Sequence, residues 1–136
     1  MKLFRKDSSY AVRTLVYIAR QSLKEPLSST RVSEALGIPK NFLRRIFSQL
    51  IRAGILKGTE GARGGVTLAR LPAQINVFDV ISVLQGDIKI CHSFHGKEPC
   101  PDQDACVMQK RIMEIEKSVM TQFRNITIQS LLDESD

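Results

Sequence analysis

No apolar run in this chain approaches the roughly 18 residues that a membrane-crossing helix needs, so no span is expected. Cysteine is scarce: only Cys91, Cys100 and Cys106 occur, and an odd, clustered set makes a poor disulfide framework. Internal repeats and low-complexity tracts are absent, which argues against a solenoid or a disordered chain. The opening Met1-Lys2-Leu3-Phe4-Arg5-Lys6 is basic like the start of a signal peptide. The apolar stretch behind it, however, is interrupted by Asp7 and Arg13 and repeats with a helical period, so a cytoplasmic location is expected.

Acidic residues are missing mainly from the first half. Residues 1–70 hold 14 Lys and Arg against 4 Asp and Glu, a net +10, whereas residues 71–136 hold 6 against 10, a net −4. The basic half is suited to meet a polyanion, although anionic lipid or simple solubility would demand a similar charge. Catalytic frames are also lacking: no Ser–His or Cys–His arrangement has a plausible third partner, no carboxylates form a recognisable pair, and no enzyme is expected. The 136 residues, 43% hydrophobic and 25% charged, fit one ordinary globular domain.

Along the chain, Ser8 and Ser9 are cap candidates for a first helix to about residue 22, with Val12, Leu15, Val16 and Ala19 on its buried stripe. Lys24-Glu25-Pro26 breaks that helix, and Ser28 or Ser29 can cap a second through Leu36. Gly37-Ile38-Pro39 then turns into a third over about residues 40–53. Two helices joined by a glycine turn point to a helix-turn-helix. The third helix carries two opposed stripes: Leu43, Ile46, Phe47 and Leu50 inward, Asn41, Arg44, Arg45 and Ser48 outward. The outward stripe is long-armed and without an acid, as a DNA recognition helix requires, and Ser29 and Lys40 at the starts of the two helices extend it. A plain solvated face would have the same spacing.

Residues 55–70 read as a hairpin whose tip, Thr59-Glu60-Gly61-Ala62-Arg63-Gly64-Gly65, is rich in glycine. Arg63 at the apex suits a narrow, electronegative minor groove, the form of a DNA-binding wing; an exposed loop with an incidental arginine is the alternative. A nucleotide loop fits less well, because no Lys-Ser/Thr follows the glycines and no helix begins there. Asn76 caps a helix over residues 77–84, and Gly86 ends it.

Segment 86–106 contains all three cysteines, with His92, His95, Asp102 and Asp104 among them. Three thiolates suit an iron–sulphur cluster; zinc, a thiol switch and inert cysteines remain open. From about residue 104 to 125 a long helix places Met108, Ile112, Ile115, Val119, Phe123 and Ile126 at coiled-coil-like steps, consistent with a homodimer seam or with one core helix. Thr127 is expected to cap a short last helix.

Several exact residues resemble the Rrf-two family of bacterial regulators: Tyr10-Ala11-Val12-Arg13-Thr14-Leu15, Leu36-Gly37-Ile38 with Phe42-Leu43, Leu50-Ile51-Arg52-Ala53-Gly54-Ile55-Leu56, Arg63-Gly64-Gly65-Val66-Thr67-Leu68-Ala69 and Phe78-Asp79-Val80-Ile81. The resemblance covers nearly the whole chain, and the hairpin with the helix after it is its specific part. It implies a homodimeric winged helix-turn-helix regulator with the cysteine segment near the dimer interface. It further implies that Arg44 occupies a specificity position, that Arg63 is the wing arginine, and that Cys91, Cys100 and Cys106 are the cluster ligands.

Two departures bear on that site. Eight residues separate Cys91 from Cys100, more than in relatives, and Gln109 stands where one type of relative has a ligating histidine. Ser9, not an acid, precedes Tyr10, and Asp7 lies two residues earlier; Asp7 is the leading fourth-ligand candidate, with His92 and His95 competing.

The expectation is thus a mainly α fold with a small β-hairpin: a winged helix-turn-helix region over residues 1–75 and a linking helix, cysteine segment and long dimerisation helix over 76–136, within one structural domain. The expected function is transcription regulation, as a repressor on double-stranded DNA, responsive to redox, nitric oxide or iron–sulphur status. The alternatives are a thiol- or zinc-dependent regulator and, in another class, an iron–sulphur electron or cluster carrier.

Overall fold

The computed structural model describes residues 3–21, 25–90 and 103–135, with only the backbone described at 103–106. Helix α1 spans Lys6–Gln21, α2 Ser29–Leu36, α3 Lys40–Arg52, α4 Val77–Gln85, α5 Gln103–Asn125 and α6 Ile128–Glu134. Strands β1 (Leu56–Thr59) and β2 (Gly65–Leu68) form an antiparallel hairpin, and a 3-10 turn, Pro72–Gln74, leads from it towards α4.

The first helix begins earlier than its serines suggest. Ser8 lies inside the first turn, fully buried, and donates its hydroxyl to Gln85 Oε1 at 2.5 Å, so it ties α1 to the end of α4 instead of capping α1. Ala11, Leu15, Ile18 and Ala19 form the buried face of α1, with Val12 and Val16 half-buried at its edge.

The other caps are local and legible. Ser28 is the N-cap of α2 and accepts from the Arg31 N–H at 3.2 Å. Gly37 closes the helix at φ 67°, a left-handed conformation that costs a side-chain-bearing residue steric strain, and its N–H reaches the Ser33 carbonyl at 2.8 Å. Asn76 accepts from the Asp79 N–H at 2.9 Å to start α4, and Thr127 accepts from the Ser130 N–H at 3.0 Å to start α6. These two starts pair with each other, through the Val77 N–H to the Ile126 carbonyl at 2.8 Å and the Ile128 N–H to the Ile75 carbonyl at 2.9 Å.

One apolar cluster joins both halves of the sequence, with Leu15, Val32, Leu43, Ile46, Leu50 and Leu56 packed in the same core as Val80, Leu84 and Ile128. Each fully buried leucine or isoleucine contributes roughly 1.5–3 kcal/mol relative to exposure, so the helix-turn-helix is held by the C-terminal helices as well as by itself. A smaller cluster of Val77, Ile81 and Ile88 receives Met120 and Phe123, which anchors the C-terminal end of α5. No helix among the described residues is long and apolar enough to cross a membrane.

Candidate nucleic-acid interface

The opposed stripes of α3 separate cleanly in the fold. Leu43, Ile46, Phe47 and Leu50 are buried, whereas Lys40, Asn41, Arg44, Arg45 and Ser48 are all exposed. The division follows from the 100° step per residue: once the apolar stripe is drawn into the core by α1, the polar one has only solvent to face.

Beside this face stands the hairpin, paired Leu56 with Leu68, Lys57 with Thr67, Gly58 with Val66 and Thr59 with Gly65. Leu27, just before α2, adds a one-residue third strand: its N–H donates to the Val66 carbonyl at 3.0 Å and its carbonyl accepts from the Val66 N–H at 2.9 Å. The hairpin is therefore clamped to the start of α2, and Ser28, the adjoining residue, caps that helix. Between α3 and the hairpin lies an open cleft of about 640 Å³, lined by Ser29, Arg44, Ser48 and Ile51 on the helical side and by Gly58, Thr59, Gly64 and Gly65 on the other. Arg63 is exposed at the hairpin tip, which closes through the Gly64 N–H to the Gly61 carbonyl at 2.9 Å.

Of the residues expected from the sequence, Ser29, Arg44 and Ser48 converge on the cleft, Lys40 and Asn41 are exposed on α3 but line neither this cleft nor the one beside Arg45, and Arg63 stands apart at the hairpin tip. Arg45, about 100° further round α3, leans to the α1 side, where its guanidinium carbon lies 5.0 Å from the Phe42 ring centre and where it lines a second cleft with Arg5, Lys6, Asp7 and Phe42. Sequence reasoning missed Phe42 and Tyr10 as organisers of this flank; their rings meet edge to face at 5.8 Å. The i, i+3 spacing of Phe42 and Arg45 was the available signal.

Cys91 and Cys100, like His92 and His95, lie outside the described residues, and only the backbone of Cys106 is described, in the first turns of α5. Among the described residues no three His, Cys, Asp or Glu side chains converge to hold a metal ion. Asp7 is described: its carboxylate is 12% exposed, pairs with Arg5 Nη2 at 3.0 Å and accepts from the Ser8 N–H at 2.9 Å. On α5, Val107, Met108, Met113 and Ile115 are exposed apolar side chains. Phe123, expected in the same seam, instead packs inside its own chain, with its ring 6.4 Å from that of Phe4.

A helix-turn-helix followed by a two-stranded wing beside its third helix defines the winged helix-turn-helix class. The sequence profile of the Rrf2 family, described as an iron-dependent transcriptional regulator, matches residues 4–134, and the chain belongs to this family of transcriptional regulators. It is 31% identical over 129 residues to the protein aau3 of Rhizobium meliloti, covering 93% of this chain and 82% of that protein. Among solved structures, the fold is similar to IscR of T. potens, with a TM-score of 0.77 and 26% identity over 100% of this chain and 89% of the other. It is also similar to CymR, the global cysteine regulator of B. subtilis, with a TM-score of 0.83 and 23% identity over all of both chains.

Proposed function

We propose that this regulator reads double-stranded DNA as a homodimer, with α3 in the major groove and the hairpin tip at the adjacent minor groove. The observation that carries this reading is the exposed row Lys40, Asn41, Arg44, Arg45 and Ser48 on a helix whose other face is buried, next to a clamped wing bearing Arg63. Arginine and asparagine donors can pair with base edges, while Ser29 at the start of α2 faces a phosphate. The exposed Met108 and Ile115, with half-buried Ile112 and Val119 on the same side of α5, support a two-fold seam, because an apolar stripe on one long helix is left uncovered by its own chain.

The effector end of the proposal is an iron–sulphur cluster on Cys91, Cys100 and Cys106, three soft thiolates that suit iron, with the family's iron-dependent description in support. When bound, such a cluster supplies a centre that oxygen, nitric oxide or iron shortage can remove, making the protein a repressor that responds to those signals. Asp7 is the leading fourth ligand in this reading, ahead of His92 and His95, provided that α1 of the partner subunit reaches the cysteine segment, and to serve it must give up its pair with Arg5. A thiol- or zinc-dependent regulator, which would use the same three cysteines, is the second reading.

Anaerobic purification with an absorbance spectrum and iron and sulphide assays, followed by duplex-binding titrations over a range of salt, tests the whole. Coloured protein with iron and sulphide, and an affinity that falls steeply with salt, is the expected result. Colourless, iron-free protein that still binds duplex transfers the proposal to thiol or zinc chemistry. Coloured protein without duplex affinity makes it a cluster or electron carrier.

A further inference from the structure

The second cleft, on the α1 side of α3, measures about 460 Å³ and is lined by Arg5, Lys6, Asp7, Phe42 and Arg45. Its one carboxylate is already engaged: Asp7 is largely buried and held by Arg5 at 3.0 Å and by the Ser8 N–H. The remaining accessible charges are cationic, with the Arg5 side chain 53% exposed and Lys6 and Arg45 exposed. Neither Lys6 nor Arg45 forms an ion pair among the described residues.

Both cations are nevertheless held in place. The Lys6 ammonium sits 5.5 Å from the Tyr10 ring centre, Tyr10 meets Phe42 edge to face at 5.8 Å, and Phe42 carries Arg45 at 5.0 Å. This ladder from α1 to α3 fixes two like charges at one cleft while leaving their N–H donors unspent, since contact with a ring face uses the cation's charge and not its hydrogen bonds. The first turn of α1, at whose start Arg5 and Lys6 stand, adds positive partial charge at the same place.

We infer that Arg5, Lys6 and Arg45 seat a phosphate of the DNA backbone. The inference rests on the DNA-reading proposal and adds a contact to it. A major groove about 12 Å wide is bounded by two phosphate backbones, and a helix of about 10–12 Å fills it. Both flanks of α3 then face a backbone: the wing side meets one strand, and the cleft on the α1 side meets the other. Arg44 and Arg45, consecutive in sequence, divide the work. Arg44, beside the wing cleft, is placed for base edges, while Arg45, turned to Phe42 at the cleft it shares with Lys6, is placed for phosphate. Tyr10 and Phe42 are positioning residues for that contact.

The test uses the full-length protein and two duplexes, one selected by the wild type from a random pool and one of random sequence. Lys6→Gln and Arg45→Gln are each expected to make the slope of log affinity against log salt shallower, on both duplexes alike, and the double variant by up to about 1.8, one phosphate in each of the two subunits. Base preference, measured by repeating the selection, stays as in the wild type. Phe42→Leu is expected to move the slope in the same direction as Arg45→Gln. Unchanged slopes in Lys6→Gln and Arg45→Gln overturn the inference, as does a base preference altered in Arg45→Gln. Wild-type protein that binds neither duplex sinks the DNA reading itself, a result distinguishable from failure of the cleft alone.

Discussion

Gly65 and Leu27 pass so closely that a Cβ on residue 65 would lie 2.4 Å from both the carbonyl carbon and the carbonyl oxygen of Leu27. Backbone cannot yield as a flexible side chain does, so Gly65→Ala must push the wing off its one-residue third strand. Overpacking of this kind costs about 1–3 kcal/mol, and urea unfolding should report a loss in that range. DNA affinity should fall with it. An alanine variant as stable as the wild type would mean that the Leu27–Val66 pairing does not hold the wing in solution.

Arg44 lines the cleft between α3 and the wing with Ser29 and Ser48. Its replacement by alanine is expected to cost roughly 1–3 kcal/mol on the preferred duplex and much less on random sequence, because a base contact is lost. Equal losses on both would assign Arg44 to phosphate.

Arg63 is exposed at the tip of the clamped hairpin. Arg63→Ala should weaken binding most where the flanking DNA is A·T-rich, since a narrow minor groove concentrates the negative potential that attracts arginine. An affinity indifferent to the flank in both proteins would remove the wing from the recognition surface.

Ile115 is 53% exposed on α5, so a glutamate there leaves the fold of one chain nearly undisturbed. In a two-fold seam, by contrast, it buries two unpaired charges. Ile115→Glu is therefore expected to give folded monomers by light scattering, and an intact dimer would place the seam elsewhere.

Thr14 in α1 is fully buried, and its hydroxyl has no hydrogen-bond partner among the described residues. An unpartnered buried hydroxyl costs about 1–3 kcal/mol, so Thr14→Val, nearly the same shape, should match or exceed the wild type in urea unfolding. A clear loss of stability would reveal a partner for that hydroxyl.

Most of the helical order was legible because its signals are short-range. The inward stripe Leu43, Ile46, Phe47 and Leu50, the caps Ser28, Asn76 and Thr127, and the left-handed Gly37 depend only on neighbours within one or two turns. Ser8 misled for the same reason. A serine near a helix start looks like a cap, and only its partner Gln85, 77 residues away, shows that it is a tether.

The residues themselves determined that the outward face of α3 would be polar, basic and free of acids, since the apolar positions fix which side is buried. They also determined the family, because the run from Arg63 to Ala69 keeps its order whatever the fold does with it. The tertiary structure alone decided that adjacent Arg44 and Arg45 would serve different clefts and that Phe123 would turn inward to Val77 and Ile81. Each of these depends on which distant element arrives beside the residue. A helical period specifies the angle at which a side chain leaves its axis, and says nothing of what stands across from it.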